Sequence, residues 1–360
     1  MRADWPPAMK DRCNEYKGAI HLHTTASDGA QTHEEVARLA AKAALDFLVI
    51  TDHNVLTKGR EGWHGNVLLL VGEEIHDTTR VPEADHYLAF NIHKHVPAIG
   101  VEAQQVIDKV NEQGGFGFIA HPFEHSPAFT GEPELPWVDW GVSGYAGLEI
   151  WNYMSEFKSY LSNVGRALLF IFFPRLVISG PFPETLAKWD ELLARRKTPA
   201  IAGIDAHGNT HSIGPIKRAI LPYEDCFRAL RTHILVPTRF EGTLEHDRPL
   251  VYDAIKQGRS FVAYDALGDA TGFSFMAHSG ESIAGMSEDI AVSPEVTFEV
   301  SSPLQADLRL LRDGEIVARS RGKSLRYTTG ESGVYRVEAR RRHLGKSRGW
   351  VFTNPIYALA

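Results

Sequence analysis

Short apolar runs, separated by helix signals and closed by a histidine or a carboxylate, constrain this chain more than any other feature. Residues 16–20 read as a strand that ends in His21-Leu22-His23. Side chains alternate along a strand, so His21 and His23 are expected to project together. Two imidazoles on one face are a chelate in want of further ligands. Ser27-Asp28-Gly29 then signals a turn. Thr32 and Glu35 have the spacing of a capping box, and Val36, Leu39, Ala40 and Ala43 follow with helical period. Phe47-Leu48-Val49-Ile50 is continuously apolar, as parallel strands are, and ends in Thr51-Asp52-His53.

The pattern recurs. Residues 67–71 lead into Gly72-Glu73-Glu74, and residues 86–90 start a strand at His86. A helix over 101–113 stops at Gly114-Gly115. Strands over 116–120 and 147–152 end in His121-Pro122 and in Trp151-Asn152. A helix follows Pro183, and the strand over 200–204 ends in Asp205-Ala206-His207. Alternating strands and helices predict an α/β fold with a parallel sheet. Six or seven such units before Tyr264 predict a closed barrel, with an open doubly wound sheet as the alternative. Beyond Tyr264 glycines punctuate the chain, short alternating runs replace the helices, and Arg312-Asp313-Gly314-Glu315 signals a hairpin. This reads as a small antiparallel sandwich. The expected division is a barrel over 1–267 and an Ig-like β-sandwich over 268–360.

A net charge of −7 over 360 residues argues against a general nucleic-acid binder. The charge is uneven: residues 309–348 hold twelve Lys or Arg against four Asp or Glu. A solvated sandwich face is the expected reading of that stretch. Two distant cysteines, Cys13 and Cys226, make neither a disulfide framework nor a thiolate zinc site, so a reducing, cytoplasmic setting is expected. The N-terminal residues lack the apolar core of a signal peptide. The apolar run over 167–173 is too short to span a bilayer and predicts a buried or lid-forming helix.

Collecting the polar residues at strand ends gives His21, His23, Asp28, His53, Glu74, His86, His121, Asp205 and His207. The ends of successive parallel strands converge on one face of a barrel. The donors are nitrogen and oxygen without sulfur, which suits Zn²⁺, Mn²⁺ or Fe²⁺. Nine ligands exceed one ion and match two or three bridged by a carboxylate.

These motifs, in this order, resemble the polymerase and histidinol phosphatase (PHP) family of metallohydrolases. The likeness runs over residues 17–265, and Gly72-Glu73-Glu74 with Gly147-Leu148-Glu149-Ile150-Trp151-Asn152 leans toward its carbaryl-hydrolase-like branch. The resemblance implies a distorted seven-stranded β/α barrel with two or three metals. It implies His21, His23, Glu74 and Asp205 on a first ion, and Glu74 bridging to a second held by His86 and His121. Asp28, His53 and His207 would hold a third. The family's G-x-E pattern selects Glu74 over Glu73.

Of the remaining histidines, His33, His64, His76, His93, His95, His233, His246, His278 and His343 are expected at the surface or satisfied within the fold. His125 and His211 lie just past ligand motifs and are candidate substrate contacts. Trp151 and Asn152 join them at a strand end, and Asp52 is a candidate to orient the neighbouring His53. The expected activity is that of a metal-dependent hydrolase using a metal-bridging hydroxide. Glu74, Asp205 and His207 are the expected catalytic residues, Asp205 handling the attacking water's proton and His207 the leaving group's. A small, anionic phosphate ester is the leading substrate class. An amide or carbamate, or a metal-binding module without activity, is the alternative.

Overall fold

Among the described residues the chain first becomes fully buried at the end of β1 (Asn14–Ile20), where it enters a covered sheet. The computed structural model describes residues 13–126, 133–213 and 216–360. α1 (His33–Lys42) opens with the capping box its sequence predicts: Thr32 Oγ1 accepts from Glu35 N, and Glu35 Oε2 accepts from Thr32 N. β2 (Phe47–Ile50), β3 (Gly62–His64), β4 (Val67–Val71), β5 (Glu73–Ile75) and β6 (Tyr87–Phe90) follow. Then come α2 (Ala103–Glu112), β7 (Phe116–Ile119), β8 (Gly147–Asn152), α3 (Tyr153–Ser159), α4 (Val164–Phe172), α5 (Pro183–Leu193) and β9 (Ala200–Gly203). A hairpin of β10 (Thr210–Ile213) and β11 (Ile216–Ala219) leads into α6 (Tyr223–Ala229), β12 (Leu230–Val236), α7 (Leu244–Gln257) and β13 (Ser260–Tyr264).

β1, β2 and β4 are parallel neighbours, as are β7, β8 and β9. Each residue of β2 is buried, Phe47 and Val49 in one apolar cluster and Leu48 and Ile50 in another. Burial on both faces is why this strand reads as a continuous apolar run. Not every strand keeps the parallel direction read from the alternation of strands and helices. β4 passes through Gly72 into the short β5, and the chain returns as β6 without a crossover helix. β6 therefore runs antiparallel to both β5 and β7. Gly72 is required there, since a Cβ would lie 2.5 Å from the Ala89 carbonyl oxygen. The two sets of strands meet at the ends that carry the candidate ligands. Ile204 N donates to Ile20 O, Asp205 N donates to His21 O at 2.7 Å, and His53 bridges to Glu74.

The C-terminal part comprises β14 (Ser274–Ser279), β15 (Ser282–Ala284), β16 (Asp289–Ala291), β17 (Val296–Arg312), β18 (Glu315–Thr329), β19 (Gly333–His343), β20 (Lys346–Thr353) and β21 (Ile356–Leu359). Asp313 and Gly314, both at positive φ, make the two-residue turn joining β17 and β18. Sequence reads two short strands where β17 is one long one. It bends between Ser301 and Ala306, pairing with β14 before the bend and with β19 after it.

The expected division near residue 267 falls between β13 and β14, but main-chain pairing crosses it: β20 bonds directly to β13. Phe261 and Ala263 of β13 belong to the C-terminal core, and Phe352 and Tyr357 to the α/β core. Arg336 on β19 holds Asp190 on α5 by two contacts of 2.6 Å, and Arg348 donates to the carbonyls of Leu176 and Ile178. Leu169, Phe172 and Phe173 are exposed rather than buried, with the Arg218 guanidinium 4.6 Å from the centre of the Phe172 ring. Among the described residues no helix is long and apolar enough to cross a membrane.

Candidate metal centre

The centre lies where the two sets of strands meet. His21, His121 and Asp205 each stand just past a strand end with positive φ, at 61°, 24° and 50°. Such backbone is sparsely populated by residues other than glycine and clusters at functional sites. It also revises the expected reason for the His21–His23 pair. The strand ends at Ile20, so the left-handed turn at His21, not strand alternation, brings the two rings to one centre.

His21 Nε2 lies 3.0 Å from Glu74 Oε2 and 3.5 Å from Asp205 Oδ1; His23 Nε2 lies 3.2 Å from each of these oxygens. On the other side, Glu74 Oε1 faces His86 Nδ1 at 2.9 Å and His121 Nε2 at 3.2 Å. His53 Nδ1 approaches Glu74 Oε2 at 3.2 Å. Asp28 Oδ2 is 3.3 Å from His207 Nε2 and 3.8 Å from His53 Nε2. All nine sequence-predicted ligands thus converge, and Glu74 stands between two histidine sets.

The donor set fits divalent cations. Four ligands at about 2.1 Å in a tetrahedron lie about 3.4 Å apart, close to the spacings around Glu74 and Asp205. Buried His23 Nδ1 and His53 Nδ1 lack a hydrogen-bond partner, although each has a carboxylate within reach. The opposite nitrogen of several rings is already engaged. His21 Nδ1 donates to Glu149 at 2.7 Å, His121 Nδ1 to Leu135 O at 3.1 Å, and His207 Nδ1 to Asp205 O at 3.0 Å. Each such bond fixes the tautomer and turns a lone pair toward the centre.

The electrostatics agree. Burial works against the imidazolium of His21, but the charges of Glu149, Glu74 and Asp205 outweigh it and hold the ring well above the ordinary histidine range. His23 and His86 are likewise raised to about 9, each by neighbouring carboxylates that overcome burial. Burial pushes His53 down to about 3. Glu74 is held well below the carboxylate range because His21 and His53 overcome its burial. The centre therefore demands positive charge, which bound cations would supply in place of protons.

Other candidates sit elsewhere. Trp151, expected as a substrate contact, is 1% exposed and packs against Tyr264 and Phe352, its Nε1 donating to Glu156. Asn152 is buried and supports the carboxylates: its Nδ2 lies 3.0 Å from Glu149 and 3.3 Å from Asp205, and its Oδ1 caps α3. His125 is half-buried with its ring against Phe182. His211 lies in β10, and its side chain is outside the described residues. Asp52 does not touch His53. It accepts from Thr24 N and Oγ1 and from Ser27 Oγ, holding the turn behind His23.

Glu149 is the residue sequence reasoning missed. It joins His21 Nδ1, the His121 main-chain N–H at 2.7 Å and Asn152. A lone glutamate within an otherwise apolar strand was the available signal. Beside the ligands a cavity of about 380 Å³ opens. Its wall includes Leu135, Met154, Phe157, Leu161 and Ile220, with Lys158 3.2 Å from Glu124.

No known family profile matches the chain. An uncharacterized protein of Methanocaldococcus jannaschii is 26% identical over 123 residues, covering 30% of this chain and 68% of that protein. A two-domain protein from Bacteroides vulgatus, described as containing a predicted PHP-like metal-dependent phosphoesterase, is similar over 99% of this chain and 98% of its own, with 14% identity and a TM-score of 0.46. An amidohydrolase from Chromobacterium violaceum, with bound sulfate and no metal, is similar over 58% of this chain and 96% of its own, with 16% identity and a TM-score of 0.32. At this level of likeness neither structure's chemistry transfers to this chain.

Proposed function

We propose that this chain is a metal-dependent hydrolase of PHP type, acting on a small phosphate ester. The observation that carries the reading is the placement of Glu74, with one oxygen toward His21, His23 and His53 and the other toward His86 and His121. His21, His23, Glu74 and Asp205 would hold one ion; Glu74, His86 and His121 a second; and Asp28, His53 and His207 a third. Bound there, Zn²⁺, Mn²⁺ or Fe²⁺ would activate water and neutralise charge developing on the substrate. In this reading the strand segments flanking the centre form one distorted ring, and the C-terminal strands a second domain fused to it. The narrower lean to the carbaryl-hydrolase-like branch rests on two strand motifs alone.

The chain's own groups set the rest. Asp205 accepts the proton of the attacking water, at a carboxylate that Asn152 Nδ2 holds in place. His207 has Nδ1 committed to a main-chain carbonyl, so only Nε2 can give a proton to the leaving group, and only when Asp28 is not sharing it with a cation. The apolar side chains of the cavity exclude water from the leaving-group side. That same wall favours the second reading, an amide or carbamate with an apolar substituent, over a polyanionic substrate.

The test is a panel of phosphate monoesters, carbamates and amides assayed against chelator-treated protein reloaded with Zn²⁺, Mn²⁺ or Fe²⁺. Metal-dependent turnover of a phosphate ester, lost in Asp205→Asn, is the expected result. Turnover of amides or carbamates alone would replace the substrate class. Bound metal without turnover of any compound would leave a binding module.

A further inference from the structure

His76 was expected at the surface or satisfied. Instead it is 8% exposed, with its ring 4.1 Å from that of His86 and 4.9 Å from that of His53. Its Nδ1 lies 2.5 Å from Glu83 Oε1 but makes no well-aligned hydrogen bond. His23 Nδ1 and His53 Nδ1, beside the candidate ligand carboxylates, lack one in the same way. Glu83 Oε1 also faces His86 Nε2 at 3.1 Å, on the side of that ring opposite Glu74. One ligand atom from each of His76, Glu83 and His86 lies within 4.8 Å of the others. The nearby Arg80 is committed to Asp85 and does not occupy this corner. Glu83 is one-third exposed, and His76 borders a second cavity, of about 370 Å³, so a hydrated ion has a way in.

We propose that His76, Glu83 and His86 form a further divalent-cation site beside the main centre, sharing His86 with it. It rests on reading the main centre as a metal site. The chemistry of the shared ring makes this the weaker site. His86 offers Nδ1 to the Glu74 side and Nε2 to the Glu83 side. One imidazole holds two cations at once only after losing both ring protons, so filling the outer site releases one more proton to solvent. Two protein ligands and a shared ring leave the remaining coordination positions to water.

The experiment is equilibrium dialysis of purified full-length protein against rising free Zn²⁺, with metal per chain counted by elemental analysis. Wild type is expected to take up its tight ions first and then one further equivalent at higher Zn²⁺. His76→Ala should weaken that last equivalent at least tenfold and leave the tight ions in place. Glu83→Gln, which still accepts a hydrogen bond from His86, should weaken the last equivalent in the same way. His76→Gln keeps the bulk of the ring and serves if the alanine variant is destabilised, with folding followed by circular dichroism. Identical binding curves for wild type and the His76 variants would overturn the proposal. Loss of the tight ions with His76 would also overturn it, by making His76 part of the main centre. Absence of any bound metal in wild type would overturn the reading beneath it as well.

Discussion

Glu73 and Glu74 are adjacent on β5 and point in opposite directions. Glu74 reaches five candidate metal-binding histidines, whereas Glu73 pairs with His95 and lies 3.4 Å from Val96 N. Both carboxylates are fully buried, so burial does not distinguish them. Their partners do. Glu74→Gln keeps the size and removes the charge shared by two histidine sets. It is expected to lower kcat/KM at least about a hundredfold, roughly 3 kcal/mol of transition-state stabilisation. Glu73→Gln should lower the melting temperature and leave kcat/KM within about threefold under saturating metal. An active Glu74→Gln variant would remove Glu74 from its proposed place.

Glu149 acts through His21 and His121. Glu149→Gln leaves an amide that both accepts and donates, so the His21 tautomer is no longer imposed. The expected outcome is metal affinity weakened by about 10- to 100-fold. Activity should recover at high metal, which separates positioning from chemistry. A variant with unchanged affinity, measured against a competing chelator, would show that the Glu149–His21 bond does not set the ligand.

Metal uptake should be strongly pH-dependent, with a definite sign. In the metal-free protein the carboxylates hold His23 and His86 to about 9 and keep His21 well above the ordinary histidine range. These rings are therefore protonated at neutral pH, and a cation must displace their protons. Affinity should rise with pH from about 6 up to about 9, rather than levelling off near the ordinary histidine value of about 6.5. Calorimetry in buffers of different ionisation enthalpy should show protons released at pH 7.5. Proton-neutral binding there would contradict histidine ligation.

The C-terminal strands should not be separable. A chain ending near Ala266 would contain all nine candidate ligands. The pairing of β13 with β20 makes folding the obstacle, since truncation uncovers the buried Phe261 and Ala263. Such a protein should be insoluble. Arg336→Ala in the full chain leaves Asp190 and Glu338 without their shared cation. It should destabilise by about 3 kcal/mol, the scale for breaking a buried ion pair. A soluble, metal-replete truncation, or a neutral Arg336→Ala in thermal unfolding, would show that the two parts are independent.

The convergence of the candidate ligands was legible in sequence because strand ends leave local marks. Histidines and carboxylates interrupt apolar runs at His21, His53, His121 and Asp205, where a buried strand has no other use for them. The capping box at Thr32 and the turn at Asp313-Gly314 are local for the same reason: each is decided within four residues. The path of the sheet was not local. That β6 runs antiparallel depends on the return of the chain after β5, and that β20 closes onto β13 depends on partners about ninety residues apart. His76 and Glu83 look like ordinary surface residues in sequence. Glu83 is three residues from His86, but only the return of the chain between β5 and β6 brings His76 against both. Sequence alone determined which side chains are candidate metal donors; tertiary structure decided which side of each ring faces the centre and what stands behind it.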